Sequence, residues 1–133
     1  MTASPSSISQ AAAAHALAGE QSFVGESVKL YRERRDYACA RLNKVPHLSC
    51  VVPDGAFYLY PNCAGAIGKV TPDGKTIDSD LDFVLYLLDR AGVASVHGAA
   101  YGLSPYFRLS IATSMETIRE ACDRIEKACS DLR

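Results

Sequence analysis

Val96-His97-Gly98-Ala99-Ala100-Tyr101-Gly102-Leu103-Ser104-Pro105-Tyr106-Phe107-Arg108-Leu109-Ser110-Ile111-Ala112-Thr113-Ser114 is a glycine-punctuated loop that feeds an apolar strand carrying one arginine. The run Tyr106 to Ile111 has the aromatic and aliphatic content of a short buried strand. A guanidinium on such a strand requires a partner, because an unpaired buried charge costs several kcal/mol or more. Arg108 is therefore expected to meet a carboxylate, either of this chain or of a ligand, and spacing alone leaves both open.

Working outward, Thr113-Ser114-Met115-Glu116 has capping-box spacing. Behind it Ile118, Ala121, Cys122, Ile125, Cys129 and Leu132 stripe a last helix. On the other side, Val93 to Val96 reads as a strand. Before it a helix capped by Asp78 or Ser79 and ended by Gly92 carries Leu81, Val84, Leu85 and Leu88 at i, i+3, i+4 and i+7, with acids in its first turn. Further back, Leu48 to Val52 and Ala56 to Tyr60 flank the turn Pro53-Asp54-Gly55 and are expected to pair antiparallel. Residues 61 to 78 read as a loop with a small hairpin tipped at Pro72-Asp73-Gly74.

The first half of the chain is helical by pattern. Ser4-Pro5-Ser6-Ser7, with Ser7 three before Gln10, opens an alanine-rich helix that Gly19 ends. A helix this short is marginal in water, so it reads as part of a larger body. A second helix, Ser22 to Lys44, shows Val24, Val28, Tyr31, Arg35, Ala38, Leu42 and Val45 as one buried stripe, and Pro46 ends it. The charge run Arg32 to Asp36 reads as its solvated face. The whole is an α+β chain: helices packed on a small, mostly antiparallel sheet.

At 133 residues, with 48% hydrophobic and 22% charged residues and a net charge of -1, the composition is that of a globular domain. It gives no reason to expect nucleic acid or an anionic membrane as partner. The start, Met1-Thr2-Ala3-Ser4-Pro5, lacks the basic and apolar regions of a signal peptide, and a cytoplasmic location is the default expectation. The five cysteines show no CxxC pair and read as reduced thiols. His47 and Cys50 are three apart, a weak zinc signal without a second pair, and no metal site is expected.

The remaining chemistry is thin. His15 sits on the alanine helix, His47 in a turn, and His97 beside Gly98, where an exposed loop histidine is the plain reading. Asp78, Asp80 and Asp82 start a helix, where acids serve the dipole. Lys29, Lys44, Lys69, Lys75 and Lys127 lie on polar helix faces or beside the exposed turn, so none is a candidate for Schiff-base chemistry. Arg108 remains, a rigidly mounted fork suited to a bidentate grip on a carboxylate.

Ser4-Pro5-Ser6-Ser7-Ile8-Ser9-Gln10-Ala11-Ala12, Gly55-Ala56-Phe57-Tyr58, Thr71-Pro72-Asp73-Gly74-Lys75, Gly92-Val93-Ala94, Gly98-Ala99-Ala100-Tyr101-Gly102 and Tyr106-Phe107-Arg108-Leu109-Ser110-Ile111-Ala112-Thr113-Ser114 together resemble the C-terminal part of class I, fold-type I aminotransferases, most of all the bacterial aspartate aminotransferases. The resemblance implies the small-domain fold of that family, with residues 1–20 as the last helix of a large domain and 21–133 as interdomain helix and small domain. It implies that Arg108 binds the α-carboxylate of an amino acid or 2-oxo acid and that Phe57 lines the substrate side. In the family, the lysine that carries pyridoxal 5'-phosphate, the phosphate-binding residues and the aromatic stacked on the cofactor precede the segment matched by Ser4 to Ala12. The resemblance thus implies that catalytic and cofactor-binding residues lie in a missing N-terminal large domain, that the parent is a homodimer, and that the isolated chain is inactive. The alternative is a free-standing carboxylate-binding or regulatory α+β module that works through Arg108 without catalysis.

Overall fold

A computed structural model of the chain describes residues 4–133, so the opening Met1-Thr2-Ala3 of the signal-peptide reading lies outside the described residues. The chain divides into two compact units, Met1–Leu30 and Tyr31–Arg133. The first holds α1 (Ser7–Ala18) and the start of α2 (Ser22–Leu42). Gly19 ends α1 as expected, but the N-cap is Ser6, and the Gln10 side chain donates to the Pro5 carbonyl instead of completing a box with Ser7. No α1 residue is buried, and Ile8 and Leu17 are each about 80% exposed. Val24 and Val28 of the predicted stripe are exposed too.

In the second unit the stripe closes where expected: Ala38, Leu42 and Val45 are buried. After α2 come β1 (Tyr58–Leu59), α3 (Asp80–Ala91), β2 (Val96–His97), β3 (Phe107–Ser110) and α4 (Met115–Ser130). Among the described residues these make a three-stranded sheet of order β1-β3-β2, antiparallel throughout, and with the helices an α+β fold.

The expected hairpin between Leu48–Val52 and Ala56–Tyr60 does not form. Ser49 makes only an isolated bridge to Asn62, and β1 pairs with β3 instead, Tyr58 opposite Ser110 and Leu59 opposite Leu109. The cause is Asn43. Its side-chain amide accepts from the Cys50 backbone N–H at 2.8 Å and donates to the Cys50 carbonyl at 2.8 Å, occupying the groups a ladder would need. The hairpin at Pro72-Asp73-Gly74 is present, closed by the bridge Val70 to Thr76, with Gly74 in the left-handed region.

The α3 stripe is rotated by one residue from its expected setting. Asp80, Phe83, Val84 and Leu87 face inward, while Leu81, Leu85 and Leu88 are exposed. Both sets satisfy i, i+3, i+4, i+7, so periodicity alone could not choose between them. Tertiary contacts do. Phe83 packs edge-on against Phe107, ring centroids 5.3 Å apart, and the Tyr86 hydroxyl donates to the Ala128 carbonyl at 2.8 Å. Ser79 caps α3 by accepting the Asp82 N–H while donating to the Asp82 carboxylate. The α4 stripe is buried as expected except for the half-buried Ala121, and the cap lies one residue later than the Thr113–Glu116 box, at Ser114, which accepts from the Thr117 N–H.

All five thiols are buried and unpaired, Cys39 and Cys50 with sulfurs 3.6 Å apart. Burial pushes Cys50, Cys63 and Cys129 from an ordinary 9.0 up to about 12. In each the folded state favours the neutral thiol. That preference stabilises fully below pH 9.0 and is lost as pH rises toward about 12, because the unfolded chain releases its protons first. Chemical denaturation at stepped pH is expected to show stability falling across that window. At pH 8 a thiol reagent should label the native chain far more slowly than the denatured one.

Candidate functional site

β3 is the central strand, so its alternation decides what faces away from the core. Phe107 is fully buried, and Leu109 lies opposite the buried Leu59. Arg108 therefore emerges on the other face. There Tyr58, paired with Ser110, is its diagonal neighbour across the β1–β3 ladder, within reach of a long side chain. The guanidinium carbon lies 4.4 Å from the Tyr58 ring centroid and 4.8 Å from that of Tyr101. Both are within cation–π range.

The expectation of a buried arginine needs correcting. Arg108 is only half-buried, and two aromatic rings flank the charge in place of a carboxylate. Among the described residues it forms no ion pair, while the chain's other arginine pairs, such as Arg41 with Asp123 and Glu126, are made elsewhere. An internal carboxylate partner is thus ruled out among these residues. The guanidinium is steered by the rings and its N–H donors stay available.

The second ring is delivered by the turn Gly98–Tyr101, a single 3-10 turn that follows β2 directly. Gly98 fits because it has no side chain: its N–H donates to the Tyr106 carbonyl at 2.6 Å, and a Cβ would overlap the Leu103 carbonyl oxygen. Gly102, at φ +76°, closes the turn in the left-handed region. The Tyr60 hydroxyl donates to the Gly98 carbonyl at 3.2 Å. Burial, with the charges of Asp80 and Tyr101 adding, pushes that phenol up, so it remains a donor at neutral pH. Asp80 accepts the Ala99 N–H at 2.9 Å.

Asp80 reads from the sequence as a helix-start acid that serves the dipole. It is 2% exposed and turned toward the loop, while the Asp82 carboxylate accepts from the hydroxyl of the N-cap Ser79. Phe57 is exposed at 43%, its ring 4.5 Å from that of Tyr58 and 6.3 Å from that of Tyr31. It stands beside Tyr58, one ring removed from Arg108. His97 is not a free loop residue: it lies in β2 opposite Phe107 and is half-buried. His47 and Cys50 join no cluster of three metal-ligating side chains among the described residues. A cleft of about 420 Å³ lies between the Thr71–Ile77 hairpin and α3. Both of its cations are paired, Lys75 with Asp73 and Arg90 with Asp131. No described helix is long and apolar enough to cross a membrane.

The family model for aminotransferase classes I and II matches residues 1–125 of the 133. The chain belongs to the class I and II aminotransferases. Within that family it is 51% identical over 128 residues to the probable aspartate/prephenate aminotransferase of Rhizobium leguminosarum bv. phaseoli, covering 96% of this chain and 32% of that protein. The crystal structure of the aspartate aminotransferase from Rhizobium meliloti superposes with a TM-score of 0.94 at 52% identity, covering 99% of this chain and 33% of that one. Alanine aminotransferase from Pyrococcus furiosus follows the same fold at a TM-score of 0.75 and 34% identity, with 86% of this chain and 28% of that chain covered. The chain thus spans about a third of the length of the aminotransferases it matches.

The aminotransferase fold and the exceptional position of Arg108 are visible in the sequence; the two tyrosines that flank the charge and the buried Asp80 are not. Tyr58 becomes visible only once the β1–β3 register is known. Asp80 is marked only by the capping box Ser79-Asp80-Leu81-Asp82, which uses Asp82 and leaves Asp80 free to turn inward.

Proposed function

We propose that this chain supplies the substrate-holding part of an aminotransferase that moves an amino group between an amino acid and a 2-oxo acid. Arg108 grips the α-carboxylate, and Phe57 lines the substrate side beside Tyr58. The observation that carries the reading is a half-exposed guanidinium on the central strand, flanked by Tyr58 and Tyr101 and left without a carboxylate among the described residues. A planar fork held this way suits two parallel N–H···O bonds to one carboxylate. Fixing that end of the substrate presents its reacting carbon in one orientation, an entropic contribution to rate. The names of the relatives favour aspartate as amino donor, with prephenate, itself a 2-oxo acid, as an amino acceptor.

Pyridoxal 5'-phosphate would be the cofactor of the full-length enzyme, but the residues of this chain do not fit it. Lys29, Lys44, Lys75 and Lys127 are exposed and Lys69 is half-buried beside a turn, so none has the desolvated amine that such chemistry needs. The cofactor therefore belongs with a large domain outside these 133 residues. In this reading residues 1–20 are the last helix of that domain and 21–133 the interdomain helix and small domain. The exposed Ile8 and Leu17 of α1 are in keeping with a helix that has a further surface to cover. The full-length enzyme is proposed to be a cytoplasmic homodimer, and the 133 residues alone to be inactive.

A chimera tests this. The first two-thirds of the Rhizobium meliloti aspartate aminotransferase, joined to this chain, should transaminate aspartate with 2-oxoglutarate. A folded, cofactor-loaded chimera without turnover would contradict the assignment.

A further inference from the structure

Asp80 is nearly fully buried at the first position of α3, yet its carboxylate serves neither that helix's cap nor an ion pair. Instead it crosses to the Gly98–Tyr101 turn and accepts the Ala99 N–H at 2.9 Å. A charge-assisted bond to a carboxylate shielded from water is among the stronger hydrogen bonds a protein makes. Two residues further along the same turn, Tyr101 lies over the Arg108 guanidinium. The turn is held as well by the Tyr60 hydroxyl, which donates to the Gly98 carbonyl. We propose that Asp80 is a positioning residue for the carboxylate site: by anchoring the turn through Ala99 it sets Tyr101, and through Tyr101 the aim of Arg108.

The inference rests on the reading of Arg108 as a carboxylate ligand, and the two can be told apart. The test uses the chimera with the Rhizobium meliloti large domain and succinate as probe, followed by nuclear magnetic resonance. The readouts are the Arg108 side-chain resonances, exchange of the Ala99 amide, and exchange of α4 amides as a control for folding. Asp80→Ala and Asp80→Ser should speed Ala99 exchange and weaken succinate binding by about tenfold each, while α4 amides stay as in the wild type. Asp80→Asn keeps an acceptor oxygen and should stay within about threefold of the wild type on both readouts. Should both shortened variants fail to fold, Ala99→Pro removes the donor of the same bond and is read in the same way.

Unchanged succinate affinity in the folded Asp80 variants, with affinity lost in Arg108→Ala, overturns the inference and leaves the arginine reading standing. A loss that Asp80→Asn does not rescue overturns it as well. Succinate that binds equally well to Arg108→Ala, or not at all to the wild type, overturns the arginine reading and this inference with it.

Discussion

Replacing Arg108 with alanine in the full-length enzyme is expected to lower kcat/KM by about 10² to 10³, with KM raised for the amino acid and the 2-oxo acid alike. Hydrogen bonds between charged groups contribute about 1.5–3 kcal/mol each, and a bidentate grip makes two. The loss should reach both substrates because the α-carboxylate is what they share. Global stability should change little. Arg108 is half-buried and its neighbours are tyrosine rings, so alanine there strands no internal carboxylate. Arg108→Lys keeps the charge but loses the planar fork and the stacking on Tyr58 and Tyr101, and should recover only a small part of the activity. Equal KM values for the wild type and Arg108→Ala would remove the role.

Gly98→Ala is expected to be the most damaging single methyl group that can be added near the site. The new Cβ would overlap the Leu103 carbonyl oxygen and stand 2.7 Å from the Tyr106 carbonyl oxygen, and both obstacles are backbone. Neither can rotate away, so the turn must open and give up the 2.6 Å bond from the Gly98 N–H to Tyr106. Overpacking against backbone costs about 3 kcal/mol or more. Thermal unfolding should show the Tm down by at least about 10 °C. Gly102→Ala makes a useful contrast: nothing lies within 4 Å of its Cβ, and the strain comes only from φ +76°. It should cost about 1 kcal/mol. A Gly98→Ala chain as stable as the wild type would mean that the turn is not held as described.

What could be read from the sequence divides along physical lines. Helices with a single possible buried face were legible: the α4 stripe from Ile118 to Leu132 is buried where the spacing put it. In α3 two overlapping stripes satisfied one period, and the contacts of Phe83 and Tyr86 with distant residues made the choice. The strand partner of Tyr58 was equally out of reach. Local turn signals favoured a hairpin with residues 48–52, while Asn43 withdrew the Cys50 backbone groups and β3 supplied the ladder. Arg108 stood out because a charge in an apolar run is conspicuous, whereas its surroundings depend on register and on a buried aspartate that looks like any helix-start acid.

The most direct test pairs Arg108 with the group it is proposed to hold. In the chimera with the Rhizobium meliloti large domain, wild type and Arg108→Ala would be compared on aspartate and on 3-aminopropanoate, which is aspartate without its α-carboxylate. The rate of amino-group loss from each is measured in a single turnover. If Arg108 binds the α-carboxylate, the substitution should slow aspartate by about 10² or more and leave the already slow 3-aminopropanoate within about threefold, a coupling that isolates the one contact. An equal loss on both substrates would contradict the assignment and return Arg108 to a structural part of the sheet.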